Sequence, residues 1–216
     1  MKKLFFVSAL FLLGTVFAQS QDREVYVAAM QAGIEKIGTC QSPVDFLNVI
    51  NQFERIGNVN QDEWLPDYWA AYSYAMASYY LPDVAAKDQY LQKAEDLVAG
   101  IKQGKANDEL LVLEAFLAQS RMNVDPQNRF ATYGSKANLL LEQALEINPE
   151  NPRIYNLKGR SIFYTPEQFG GGKVAARPLL ELALAKYGAF NLASAIHPSW
   201  GEDYTQDLYR QCETNN

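Results

Sequence analysis

The stretch Ala137–Pro149, which reads ANLLLEQALEINP, decides the fold class of this chain. Ala137, Leu141 and Ala144 recur at helical spacing, so small and large apolar side chains alternate along one face of a helix. Pro149 then stops that helix. Because small side chains let neighbouring helices approach closely, the pattern predicts a helix packed tightly against others. The same pattern returns further along the chain at Ala176, Leu180, Ala183 and Leu184.

Three segments of the chain align on this pattern without gaps. They are residues 90–97, 140–147 and 179–186. These segments resemble the second helix of the tetratricopeptide repeat (TPR), a helix-turn-helix unit of about 34 residues, with extra residues in the turns inside each hairpin. The resemblance covers residues 64–187, and in this part the chain is similar to exported bacterial TPR-like proteins. It implies an all-α fold: a TPR-like helix-turn-helix solenoid (an α-α superhelix) with additional capping helices at both ends.

The chain divides into four predicted segments. They are a signal peptide (1–18), an N-terminal helical cap (19–62), TPR-like repeats (63–188) and a C-terminal capping segment (189–216). Apolar periodicity and cap residues predict helices after the signal peptide, and no stretch alternates with period two, so strands are not expected. The predicted helices span about residues 22–37, 42–56, 63–80, 84–101, 108–122, 133–147, 152–164, 173–187 and 202–212, with a break at Asp125-Pro126.

The first residues have the pattern of an export signal. Lys2 and Lys3 precede the apolar run Leu4–Phe17, and Ala18 supplies a small residue before a cut. The run is shorter than the ~20 residues that a membrane-spanning helix needs, and no later stretch approaches that length, so no transmembrane segment is expected. The pattern predicts an exported protein, and we expect the periplasm rather than full secretion.

The charge of the chain limits its partners. The formal net charge is −6, and loss of Lys2 and Lys3 would leave 17 basic against 25 acidic residues, a net charge of −8. Because phosphate binding needs a basic face, nucleic acid is not expected as a partner.

Cys40 and Cys212 are the two cysteines of the chain. Export places them in an oxidising compartment, where a disulfide between them would tie the start of the array to its end. Two unpaired thiols that pack as small hydrophobic side chains are the alternative, and the spacing alone does not decide between the two.

The best candidates for binding a partner lie on one predicted helix. Arg153, Asn156, Arg160 and Phe163 follow one another at intervals of three and four residues, which places them on one face. Guanidinium groups match the fork of a carboxylate, and an asparagine adds a neutral donor. Similar residues line the groove of some TPR proteins that hold a partner's terminal carboxylate. A solvated polar face is the alternative interpretation.

An aromatic group at the start of the repeats offers a second candidate site. It comprises Trp64, Tyr68, Trp69, Tyr72, Tyr79 and Tyr80. Trp69 and Tyr72 are helix neighbours whose rings could line an aromatic pocket for a small ligand. Core packing between helices is the alternative. In the tail, Trp200 is expected to pack onto the last repeat.

Catalysis is not expected from this sequence. His197 is the only histidine, which excludes a metal site built from several histidines. The run Gly170–Lys173 lacks the glycine and the hydroxyl residue that a phosphate-binding loop requires, so it is interpreted as a turn. No cofactor and no metal are expected, and scattered carboxylates form no recognisable acid–base pair.

The sequence therefore predicts an exported scaffold or adaptor that binds a protein or peptide partner in a concave helical groove. A small-ligand-binding accessory protein, associated with a transporter and using an aromatic pocket, is the alternative. An enzyme is the third and least favoured interpretation. The sequence identifies neither the partner nor the oligomeric state.

Overall fold

The computed structural model describes residues 4–101 and 107–214, with side chains from residue 21 onward. The ten α-helices found in these ranges are α1 (Leu4–Ile37), α2 (Pro43–Val59), α3 (Leu65–Ser78), α4 (Val84–Gly100), α5 (Asp108–Val124), α6 (Pro126–Arg129), α7 (Ser135–Ile147), α8 (Pro152–Tyr164), α9 (Lys173–Ala189) and α10 (Glu202–Glu213). These ranges contain no strand. The all-α prediction is confirmed.

The helices pack in sequence-adjacent pairs, which gives a helical-repeat-like arrangement. Helix α3 packs against α4, α5 against α7, and α8 against α9, while α2 and α10 flank the pairs at the two ends. The main core joins α1–α5, α7 and α8 and includes Ile196 of the C-terminal tail. A smaller second cluster of Ala176, Leu180 and Leu208 holds α9 and α10 together.

The small-large ladders of the sequence occupy the positions that close packing requires. Ala137, Leu141 and Ala144 are at most 1% exposed, and the corresponding residues of α9 are fully buried. At Gly159 a Cβ atom would lie 2.8 Å from Leu180 Cδ2, so α8 and α9 approach too closely there for any larger side chain. The ladders therefore place each second helix against its partner, as predicted.

The chain between α5 and α7 differs in part from the prediction. The predicted helix break at Asp125-Pro126 is confirmed, since α5 ends at Val124. The segment after the break differs from the expected turn, because the Asp125 carboxylate caps Asn128 N and so begins the short helix α6. A π-helical segment, Phe130–Gly134, then joins α6 to α7. Pro126 at the first helical position lacks only an N–H group that has no partner there anyway. The proline thus starts a helix instead of opening a loop.

The N-terminal helix α1 begins before the predicted start of the first cap helix. The signal peptide predicted for residues 1–18 falls on side chains outside the described part of the chain, and it stays a prediction. Within the part that is described, no helix has both the length and the apolarity needed to cross a membrane.

Candidate functional site

A cleft of about 550 Å³ opens between the helix pairs and the C-terminal tail. We call it the aromatic cleft. Its lining comes from six parts of the chain: Ile34, Ile37 and Gly38 at the end of α1; Trp69, Tyr72, Met76 and Tyr79 of α3; Phe116 of α5; Asn156 and Arg160 of α8; Ser199, Trp200 and Gly201 of the tail; and Asp203 and Tyr204 of α10. Because these parts are distant in sequence, the cleft exists only in the folded chain.

Trp200 builds the inner wall of the aromatic cleft. Its ring stacks on Tyr72 with centroids 5.0 Å apart and lies 5.4 Å from the ring of Phe116. Its indole Nε1 donates a hydrogen bond of 2.9 Å to Tyr68 Oη. Trp200 was expected to pack on the last repeat, and its carbonyl does accept a hydrogen bond of 3.1 Å from Tyr187 Oη of α9. Its ring, however, also reaches back to α3 and α5, which was not predicted.

A second indole also fixes the tail, this time as a donor from α3 to the tail backbone. Trp69 Nε1 of α3 donates to the carbonyl of Ile196 over 2.9 Å, a bond between residues 127 positions apart. Trp69 is only 2% exposed, so a buried donor finds its partner in the tail backbone. These two indole bonds hold the tail as one wall of the cleft.

Gly201 makes the turn between the tail and α10. Its φ of +105° lies in the left-handed region, and a Cβ atom there would sit 2.4 Å from Tyr187 Oη. Only glycine satisfies both conditions. Asn156 Nδ2 donates 2.9 Å to the Gly201 carbonyl, which ties α8 to the same turn.

The four residues of α8 that were predicted to bind a partner have different roles in the structure. Arg153 is 1% exposed and donates through Nε to Glu109 Oε2 over 2.9 Å, with a second bond from its Nη2 to Glu109 Oε1. Asn151 Nδ2 donates 2.9 Å to the same carboxylate. Burial raises the pKa of Glu109, and the Arg153 charge opposes that rise. Arg153 therefore holds α8 to α5 and offers no donor to a partner, contrary to the prediction.

Two further members of the set also serve the fold. Asn156 is 2% exposed, and its amide is used by Gly201 and Thr205. Phe163 packs against the second cluster between α9 and α10 and does not line the aromatic cleft. Helical spacing placed these residues on neighbouring parts of α8, but the packing of α10 over α8 covers them.

Arg160 is the member of the set that lines the cleft with a charged group. Its Nη2 donates 2.8 Å to Tyr79 Oη, and its guanidinium lies 5.5 Å from the ring centroid of Phe116 and 5.4 Å from that of Tyr204. Burial and a hydrogen bond with Tyr164, whose hydroxyl oxygen lies 2.6 Å away, raise the pKa of Tyr204, so its hydroxyl stays protonated near neutral pH.

The aromatic pair predicted for a pocket, Trp69 and Tyr72, lies in the lining of the cleft. Both are largely buried, so they belong to the core as well as to the cleft lining, and contact with a ligand stays a prediction. Burial raises the pKa of Tyr72, which keeps its hydroxyl neutral. Sequence reasoning missed Phe116 and Tyr204. Neither stood in a pattern that distinguished it from core or surface aromatics.

The remaining predicted residues lie away from the cleft. Cys40 and Cys212 are free thiols that pack against the main core and the second cluster respectively, so of the two alternatives the structure has the unpaired thiols. His197 packs edge-on against Trp64 with centroids 5.9 Å apart, and burial lowers its pKa, which favours the neutral ring. Within the described ranges, no three His, Cys, Asp or Glu side chains cluster as a metal site would require.

A second cleft of about 440 Å³ lies between α5, α7, α8 and the glycine turn before α9. Phe130 and Phe169 line it and are 59% and 73% exposed. None of the residues predicted as sites contributes to it. It provides an internal comparison for the aromatic cleft.

Comparison with known proteins finds a similar solved structure. No protein-family model matches the chain, and no curated protein matches it. A solved structure, the HusA haemophore from Porphyromonas gingivalis, is similar with a TM-score of 0.76 and 31% sequence identity. The match covers 88% of this chain and 95% of that one. With this identity over nearly the whole of both chains, the protein belongs to the family of the HusA haemophore.

Proposed function

We propose that this protein is a haemophore-like binding protein that carries a tetrapyrrole of the haem class in the aromatic cleft. The observation that carries the proposal is the stacked wall of Tyr72, Trp200 and Phe116 in a chain related to a haemophore. A tetrapyrrole is a flat, largely apolar ring system with a few polar substituents. Stacking against aromatic rings is the arrangement such a molecule favours.

The size and chemistry of the cleft support a ligand of this class. A volume of about 550 Å³ lies within the ~300–1,000 Å³ of ordinary small-molecule sites. Ile34, Ile37 and Met76 add apolar surface, whereas Arg160 and Tyr204 add a few polar groups. An apolar cleft with few, convergent polar groups is typical of ligand sites that fix orientation as well as affinity.

The structure weakens the case for a protein partner held in this groove. Arg153, Asn156 and Phe163, which were expected to bind one, are used by the fold itself. The small-ligand alternative keeps both of its residues, Trp69 and Tyr72, in the lining of a cleft. We propose ligand carriage without catalysis, and we retain export as part of the proposal on the signal-peptide pattern of residues 1–18.

A steric block tests the location of the site. Gly38 lines the cleft and is exposed, and a Cβ atom added there meets only Glu35 O at 3.6 Å, so Gly38→Trp places bulk at the cleft without disturbing the core. Gly188→Trp is the matched control, because Gly188 is also exposed and open but lies on α9 outside the cleft.

Haem is titrated into the purified wild type and both variants, and binding is followed by the haem absorbance band and by quenching of tryptophan fluorescence. We expect the wild type and Gly188→Trp to bind alike. Gly38→Trp should bind at least about tenfold more weakly, which corresponds to about 1.4 kcal/mol of binding free energy. Equal affinity in all three proteins would remove the aromatic cleft as the site, and no binding to the wild type would remove the proposed function.

A further inference from the structure

The charge balance of the described arginines distinguishes Arg160 from its neighbours. Arg121 is paired with Asp88 and Glu95, each at 2.8 Å, and Arg153 is paired with Glu109. Arg160 forms no ion pair with any carboxylate of the described residues, and its nearest polar partner is the neutral hydroxyl of Tyr79. Asp203 lines the same cleft but lies outside ion-pair distance.

An arginine in this position has unused binding capacity. The guanidinium stays charged at all physiological pH values and carries five N–H donors, of which one bonds to Tyr79 Oη. Its surroundings are rings: Tyr79, Phe116 and Tyr204 all lie within 6 Å of the guanidinium carbon. Rings stabilise a cation partly, but they cannot neutralise it as a carboxylate does.

We propose that Arg160, beside the ring of Tyr204 in the aromatic cleft, is the subsite for a carboxylate group of the ligand. This proposal rests on the proposed function, since the carboxylate is a side chain of the tetrapyrrole whose ring lies against Tyr72 and Trp200. The guanidinium has N–H groups beyond the one that bonds to Tyr79, and two of them can bond to the two oxygens of a carboxylate. Such bidentate pairs combine strength with orientation. The ligand's anion supplies the counter-charge that the protein lacks at this point.

The subsite makes the cleft selective for tetrapyrroles that carry free carboxylates. Esterification removes the negative charge and leaves the ring system unchanged, so the ester keeps the aromatic contacts and loses the arginine. Hydrogen bonds to charged groups are strong enough that the free acid should bind roughly 10- to 100-fold more tightly than the ester.

The experiment compares protoporphyrin IX with its dimethyl ester on four proteins: the wild type, Arg160→Gln, Arg160→Lys and Arg177→Gln. Arg177 is the matched control, because its side chain is 50% exposed and lies outside the cleft. We expect the wild type and Arg177→Gln to prefer the free acid. Arg160→Gln should lose that preference while its affinity for the ester stays within threefold of the wild type. Arg160→Lys should retain part of the preference, because it keeps the charge but not the fork.

Each outcome decides between the two levels of the proposal. A preference for the free acid that persists in Arg160→Gln overturns the carboxylate subsite and leaves the proposed function standing. A wild type that binds acid and ester equally does the same without any variant. A wild type that binds neither porphyrin overturns both. Ester affinity serves as the folding check, since a misfolded variant would lose both ligands.

Discussion

The two ends of α8 carry the same kind of side chain in opposite situations. Near the start of the helix, Arg153 is fully buried and shares its charge with Glu109. Two turns later, Arg160 faces a cleft and has only hydroxyl and ring neighbours among the described residues. The paired arginine completes the fold, and the unpaired one leaves a positive charge for something else to neutralise. The comparison shows that the presence of a carboxylate partner, rather than residue type or helix face, distinguishes these two arginines.

The largest expected effect comes from replacing Arg153, the arginine that is paired with a carboxylate. Arg153→Met leaves the Glu109 carboxylate buried without its cation, and removing one partner of such a pair typically lowers the free energy of unfolding by about 3–5 kcal/mol. Arg160→Met removes no ion pair, so we expect a loss of about 1 kcal/mol or less. Urea unfolding of both variants measures the difference. Equal losses would show that the two ends of α8 are not distinct.

The tail that closes the cleft gives the next largest effect. Trp200→Ala removes a partly buried ring that contacts Tyr72 and Phe116, and we expect the free energy of unfolding to fall by about 2–3 kcal/mol. Haem affinity should fall as well, because the wall of the cleft is lost. Trp200→Phe keeps a ring but loses the bond to Tyr68 Oη, and should lower stability by about 1 kcal/mol. If Trp200→Ala left haem affinity intact, the tail would not be part of the site.

The smallest expected effect concerns Asp88 of α4, which pairs with Arg121 of α5 and Arg129 of α6. These pairs are partly exposed, so they extend the comparison of paired and unpaired arginines beyond the buried core. Bonds from Arg129 and then Arg121 lower the pKa of Asp88 to about 2. Because this pKa lies below the unfolded value of about 4, the pairing stabilises the fold above pH 4 and is lost as the pH falls toward 2. Asp88→Asn should lower the free energy of unfolding by on the order of 1 kcal/mol at pH 7.

The pH dependence of that variant provides its own control. The stability difference between the wild type and Asp88→Asn should shrink steadily between pH 5 and pH 3, as measured by urea unfolding at each pH. A difference that is constant over this range would mean that the side chain acts by packing and not by charge.

Much of the fold could be predicted because its signals are local. The ladders of α7 and α9 and the caps at Ser42 and Asn151 each specify a helix from residues within a few positions. The break at Asp125-Pro126 was predicted correctly, but the turn expected after it is helical, because proline can start a helix as well as follow the end of one. Local chemistry thus fixed most helices, and it failed where one residue type serves two roles.

The site was harder to predict because its residues meet only through tertiary packing. Trp69 and Tyr72 were identified from one helix, but the ring that completes their wall, Trp200, comes from a tail without periodicity. Arg153 and Arg160 looked equivalent in sequence. Whether each arginine has a carboxylate partner depends on how α5 packs on α8. Nothing in the sequence around Glu109 indicated that it would pair with Arg153.

The most direct test of tetrapyrrole binding in the aromatic cleft is to locate a bound tetrapyrrole on the folded protein. Amide and indole NMR signals of the ¹⁵N-labelled protein are recorded with and without metal-free protoporphyrin IX, whose ring current shifts nearby signals. We expect the largest shifts at the indole signals of Trp69 and Trp200 and at the amides of Tyr72, Phe116 and Arg160. Shifts concentrated around Phe130 and Phe169, in the second cleft, would contradict that expectation.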